Sequence, residues 1–461
     1  MLLSLFLTLT MQAQNRPQPK AGPAPTINIK KPQTFELANG LKVLVVENHK
    51  LPRASFSLTL DIPPYSEGDK KGVASLMGRL LGKGSQSIPK DVFIEEIDFL
   101  GADINFYSNG ATANSLSKYS GRILELLAEG ALHPDFSQTE FDKEKTKFIE
   151  GLKADEKSVP ATAERVENLL AFGKHPYGEF VSEQSLSNIT LDDVKANYNT
   201  YFVPQNAYLV IVGDVDFEQV KAKVEDLFAD WTKATAPELT YANPKNVQYL
   251  QINFVDMPNA VQSEIGVTNA TTLKMADPDF FPAIVANQIL GGDFNSYLNM
   301  NLREANGWTY GARSSIGFDK YTDKFIASSS VRNAVTGSAV LEFIKEIKRI
   351  RTEKVSDEKL RDIKAGYIGR FVMTIEKPQT IARYALNIKT ENLPDDFYEN
   401  FIKKINAVTA DDILRVANKY FLIDNMRIVI TGKASEVVPG LEKLNIPIFY
   451  FDRFGNPLNN G

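Results

Sequence analysis

The sequence predicts an α+β protein of two homologous domains, each a mixed β-sheet packed with helices, the two facing across a cleft. Three observations predict it. The first is an internal repeat. Residues 189–213 align without a gap to 408–432, an offset of 219, with ten identities: Thr190/Thr409, Asp192/Asp411, Asp193/Asp412, Asn199/Asn418, Tyr201/Tyr420, Phe202/Phe421, Asn206/Asn425, Val210/Val429, Ile211/Ile430 and Gly213/Gly432. Chance does not give this density, and a unit recurring at one offset marks a duplicated domain. The second is the order of patterns, which mixes period-2 segments with amphipathic helices in both halves. The third is size. A chain of 461 residues, 43% hydrophobic and 24% charged, has the profile of a soluble protein of two or three domains. A duplication of this kind leaves a cleft between its halves, where ligands tend to bind.

Composition excludes several functions. The net charge of −5 provides no basic surface for nucleic acid. The absence of cysteine removes disulfides, thiolate metal sites and a cysteine nucleophile. Residues 1–13 are a short apolar run ending in Met11-Gln12-Ala13, which predicts a secretory signal and an exported protein. Residues 14–33 form a proline-rich lead-in. No later run is long and apolar enough for a membrane helix.

The N-terminal domain is expected over 34–231. Alternation of Leu41, Val43 and Val45, then of Phe56, Leu58 and Leu60, predicts two strands around a turn. Val73, Leu76, Met77, Leu80 and Leu81 make one apolar helical face, which Gly82-Lys-Gly-Ser85 ends. Those glycines lack phosphate-loop spacing. Helices follow at 90–100, 120–132, 137–155, 161–172 and 190–200, with a strand at 101–107 and a turn at His175-Pro-Tyr-Gly178. Helix 137–155 carries Glu140, Glu144 and Glu150 among lysines, the pattern of a solvated face. Ala207–Gly213 reads as a buried strand. Asp216, with Gln219 three residues on, caps a helix whose stripe ends at Trp231.

Residues 232–246, with Pro237 and Pro244, read as a linker. The second domain, 247–450, repeats the order: strands at 247–255 and 261–268, a helix at 280–290, a strand at 324–332, and helices at 336–352 and 356–375. A tail spans 451–461. Within this half lies Asn301-Leu-Arg-Glu-Ala-Asn-Gly-Trp-Thr-Tyr310. Arg303 and Tyr310, with Gly307 between them, can meet on one wall of a cleft and donate to a carbonyl or a developing oxyanion. Equally, Arg303 can pair with a surface carboxylate while Tyr310 starts a half-buried strand.

These features together resemble the M16 (pitrilysin, or insulinase) family of zinc peptidases, in its half-length, two-domain form. The carrying motifs are Leu302–Tyr310, Leu290-Gly-Gly-Asp-Phe-Asn-Ser296, His175–Gly178, and Tyr201–Asn206 before the Val212-Gly-Asp214 strand end. Mitochondrial processing peptidase and the core proteins of the cytochrome bc1 complex are of this form. Active members carry HxxEH on the first long helix, two histidines binding zinc and the glutamate activating water. Here Ser75, Gly78 and Arg79 occupy those positions, in a register fixed by Lys83-Gly84-Ser85, and Glu150 matches the downstream ligand. Serine is a poor zinc ligand, glycine takes no proton and arginine repels the ion. The site is therefore read as degenerate, with no metal or other cofactor bound by this chain. An Arg79–Glu150 pair is its expected relic. The three histidines, His49, His133 and His175, provide no replacement.

In the family, the pair matched by Arg303 and Tyr310 holds the substrate carbonyl across from the metal. The resemblance thus implies a periplasmic subunit of a Gram-negative bacterium, not catalytic alone, paired with an HxxEH-bearing homologue that supplies zinc. The implied substrate is an unfolded peptide, added to a sheet edge. The alternative is a scaffold or peptide-binding protein like the bc1 core subunits.

Overall fold

The computed structural model describes residues 31–458, so the signal expected at 1–13 and most of the lead-in lie outside the described residues. The N-terminal half runs β1 (Gln33–Glu36), β2 (Lys42–Glu47), β3 (Arg53–Leu60), α1 (Val73–Leu80), α2 (Lys90–Phe99), β4 (Asp103–Tyr107), β5 (Gly110–Leu116), α3 (Ser120–Leu132), α4 (Gln138–Asp155), α5 (Val159–Phe172), α6 (Glu183–Asn188), α7 (Leu191–Tyr201), β6 (Ala207–Gly213) and α8 (Phe217–Phe228). Residues 229–250 connect to the second half with no helix or strand. That half runs β7 (Gln251–Asp256), β8 (Gln262–Thr271), α9 (Phe280–Asn287), α10 (Tyr297–Asn299), β9 (Ala312–Ile316), β10 (Asp323–Arg332), α11 (Thr336–Thr352), α12 (Asp357–Ile375), α13 (Pro378–Thr390), α14 (Phe401–Ala407), α15 (Ala410–Tyr420), β11 (Arg427–Gly432), α16 (Ala434–Leu441) and β12 (Ile448–Phe451).

Each half builds one six-stranded mixed sheet, ordered β1-β2-β6-β3-β5-β4 and β12-β7-β11-β8-β10-β9. Five strands correspond one to one, as the repeat requires. The parallel pairs β2–β6 and β7–β11 are equivalent. The sixth differs: β1 lies antiparallel to β2, whereas β12 lies parallel to β7. The repeated Thr-x-x-Asp segments become matching capping boxes. Thr190 Oγ1 accepts from Asp193 N at 3.2 Å, and Thr409 Oγ1 accepts from Asp412 N at 3.1 Å.

The β6 sequence is apolar throughout because both of its faces are covered. Leu209 and Ile211 enter the core of their own domain. Tyr208, Val210 and Val212 face outward, where Ala382 of α13 packs on them. The arrangement is reciprocal. Helix α5 of the first half lies on the second sheet, with Val166 against Val255 and Val429. Each domain thus lends the other a helix. Polar contacts secure the exchange: the ion pairs Glu167–Lys324 and Asp61–Lys320, and Tyr177 Oη donating to Asp319 Oδ1 at 3.2 Å. The sequence pattern predicts no helix at α13.

Candidate functional site

Helix α1 buries Leu76, Met77 and Leu80 and turns Ser75 and Arg79 to solvent. Gly78 faces the β4–β5 hairpin. A Cβ built there would lie 2.5 Å from Ser108 N and 2.8 Å from the Tyr107 carbonyl carbon. No side chain fits without moving main chain, so the hairpin occupies the space a general base would need. With a hydroxyl at 75, backbone at 78 and a cation at 79, the donor set does not fit zinc. Among the described residues no cluster of three or more His, Cys, Asp or Glu could hold a metal ion.

The expected Arg79–Glu150 pair does not form. The Arg79 guanidinium lies over the Phe148 ring, 4.2 Å from its centroid, and Glu150 is exposed with no ion-pair partner among the described residues. The carboxylate that turns inward is Glu144, which is buried. Its Oε1 lies 3.5 Å from Lys83 Nζ and 3.2 Å from Lys147 Nζ. Burial pushes this carboxyl up, but the two ammonium groups prevail and hold it below the usual glutamate range. Positions 144 and 148 share one face of α4, which meets Arg79 in the last turn of α1 and Lys83 just beyond it. The i,i+4 spacing of Glu144 and Phe148 within α4 was the available signal for these two residues. Glu150 points elsewhere because two helical residues turn the side chain by about 200°.

In the second half, α9 leads into a π-helical turn, Gln288–Gly292, and α10 into another, Met300–Ala305, which carries Arg303. Such wide turns recur at functional sites. Backbone bonds from Gly307 N to Arg303 O and from Trp308 N to Leu302 O, both 3.0 Å, close the segment. Gly307, at φ 63°, supplies the left-handed residue this turn requires. Asn306 Nδ2 donates to Asn301 O at 3.0 Å and Oδ1 at 2.8 Å, while Asn301 Nδ2 donates to Glu342 and Glu346, both at 2.6 Å.

On this braced frame the two candidate donors are displayed. Arg303 is 37% exposed, stacked 4.9 Å from the Phe294 ring centroid, with Nε 3.3 Å from Glu304 Oε1. Tyr310 is 94% exposed, precedes β9 by two residues and has no hydrogen-bond partner among the described residues. So Arg303 does meet a surface carboxylate, but Tyr310 is not a half-buried strand residue. No hydrogen bond or ion pair joins either to Ser75, Arg79 or Glu150. Both candidate regions adjoin the free end of a sheet, β4 in one half and β9 in the other. A free edge leaves backbone donors and acceptors open to an added strand. Guanidinium and phenol beside such an edge can donate to a carbonyl oxygen.

Comparison with known proteins bears on most of the chain. Residues 42–179 match the family model described as Insulinase (Peptidase family M16), and residues 188–367 match Peptidase M16 inactive domain. The chain is similar to the Uncharacterized zinc protease YmxG of Bacillus subtilis (strain 168), 21% identical over 415 residues, which is 85% of this chain and 96% of that protein. It is also similar to the Non-peptidase homolog YmxG of Helicobacter pylori, 22% identical over 392 residues, or 82% and 89% of the two chains. A solved peptidase M16 inactive domain from Pseudomonas fluorescens has the same fold, with a TM-score of 0.78 at 24% identity, covering 87% of this chain and 98% of that one.

Proposed function

The chain belongs to the M16 (insulinase) peptidase family, and from that premise we propose that it is a non-catalytic subunit that pairs with a zinc-bearing homologue to complete a peptidase. The carrying observation is the contrast between its halves. Main chain fills the general-base position at Gly78, while Arg303 and Tyr310 stand displayed beside an open sheet edge. The non-peptidase name of the H. pylori relative agrees with the first point. An unfolded peptide would add to an edge strand through its backbone. Arg303 and Tyr310 would then donate to the scissile carbonyl and hold the negative charge that develops on its oxygen. The partner would supply metal and general base. The apolar N-terminus supports export to the periplasm.

Peptide cleavage tests this in three samples, each with zinc: this chain, an HxxEH-bearing homologue, and the two mixed. Cleavage only in the mixture is expected. A homologue fully active alone and indifferent to this chain would favour the scaffold alternative. Chelator-sensitive cleavage by this chain alone would contradict both.

A further inference from the structure

We propose that the relic of the metal site binds a carboxylate of the peptide, with Arg79 as its receptor. The proposal rests on the reading that a peptide lies along an edge strand, here β4. A pocket of about 410 Å³ opens beside that edge, between α1, α2 and β4, with Arg79, Lys83, Glu144 and Phe106 in its wall. Of its two cations, Lys83 is committed to the buried Glu144. Arg79 has no carboxylate partner among the described residues. Its guanidinium carbon instead lies over the Phe148 ring, 4.2 Å from the centroid. Its side-chain N–H groups make no hydrogen bond or ion pair among the described residues, and the ring contact reduces the freedom the side chain loses on binding, so it is prepared for a two-point contact with a carboxylate. A fixed cation thus stands where the family places a metal ion.

Asp98 and Asp103 also line the pocket. Unspecific electrostatics there would favour a basic peptide, which makes a preference for acid diagnostic of Arg79. The carboxylate can be an acidic side chain or a chain terminus, and the experiment separates them. Fluorescence anisotropy of this chain alone is measured with a fluorescein-labelled nonapeptide carrying one central glutamate. The comparison peptides carry glutamine or lysine there, each as C-terminal acid and amide. We expect the glutamate peptide to bind about tenfold more tightly than the glutamine peptide, as a charged hydrogen bond at a half-open site allows. Arg79→Gln should erase that ratio, Arg79→Lys should retain part of it, and Phe148→Leu should reduce it by loosening the guanidinium. An acid-over-amide ratio erased by Arg79→Gln would identify the terminus as the source.

Arg79 is exposed, so unchanged thermal melting is expected for its variants and checks their fold, whereas Phe148→Leu, at a ring packed on the core, should melt slightly lower. Tighter binding of the lysine peptide, or ratios indifferent to Arg79→Gln, would overturn the proposal. So would absence of binding by every peptide at millimolar concentration. None of these outcomes involves a partner subunit, so the pairing reading stands or falls on its own cleavage assay.

Discussion

Beside edge strand β4 the N-terminal half is closed, its hairpin backbone seated on Gly78 and the buried Glu144 carboxylate neutralised by lysines. Beside edge strand β9 the C-terminal half holds its loop with side-chain amides and leaves Tyr310 almost fully exposed. Both sites are built on equivalent strands of equivalent sheets. What the duplication preserves is the frame: the sheet order, the capping boxes and the exchanged helices. What diverges is the set of side chains at the edge. A duplicated fold can therefore carry different side chains at equivalent edges of its two copies, because packing and edge chemistry rest on different residues.

The exchanged helices allow the strongest test of that separation. At the offset of 219, Glu167 of α5 corresponds to Leu386 of α13. Glu167 is buried against Lys324, and burial raises its carboxyl, with Lys324 opposing. Leu386 packs on the apolar residues of β2 and β6 instead, with no charge pair. Glu167→Leu should cost about 3 kcal/mol in urea unfolding, by leaving the Lys324 ammonium unpaired. Adding Lys324→Met should recover the loss to within about 1 kcal/mol. A double variant as unstable as the single would mean the charge pair has a role that packing cannot replace.

The closed site comes next. Gly78→Glu should destabilise by about 2 kcal/mol, since the new side chain must displace hairpin backbone. Ser75→His and Arg79→His, on the exposed face, should each change stability by no more than about 0.5 kcal/mol. A neutral Gly78→Glu would show that the hairpin yields and the site is not closed.

The first helix after strand β3 and its counterpart after strand β8 also start differently. Gly72 precedes α1, whereas Asp279 precedes α9 and binds Arg415 Nη1 at 2.5 Å, Lys419 Nζ at 2.6 Å and Tyr420 Oη at 3.1 Å. Burial opposes ionisation of Asp279, but these donors bring its carboxyl down from 3.8 to about 2. Asp279→Asn should cost about 2 kcal/mol at neutral pH. Because the folded value lies below the unfolded one, this contribution is complete above pH 3.8 and is lost as pH falls toward 2. A wild-type minus Asn difference that stays constant down to pH 2 would refute the assignment. The smallest effect should be the most symmetrical: Thr190→Ala and Thr409→Ala should each cost about 1 kcal/mol, with the two values close to one another.

The frame was legible in the sequence because it rests on local signals. The repeat, the capping boxes, the buried run of β6 and the stripe of α1 each follow from residues close in the chain. Strand β5 was not legible: Gly110-Ala-Thr-Ala-Asn-Ser-Leu116 lacks the large β-branched residues that mark a strand, since its alanines pack beneath helices. Helix α13 was hidden because its apolar face meets the other domain's sheet, a partner that no local pattern reveals. At the site, Ser75, Gly78 and Arg79 were legible only as residue types that do not suit zinc. The hairpin that closes over Gly78 and the ring beneath Arg79 come from remote segments and needed the fold.

In the proposed function this chain completes a partner's site through Arg303 and Tyr310. The most direct measurement is the turnover of the reconstituted pair carrying Arg303→Ala or Tyr310→Phe, with zinc content and subunit stoichiometry measured on the same samples. A kcat roughly 10²–10³-fold lower is expected, with metal and assembly unchanged. Turnover equal to that of the unmodified pair would contradict it.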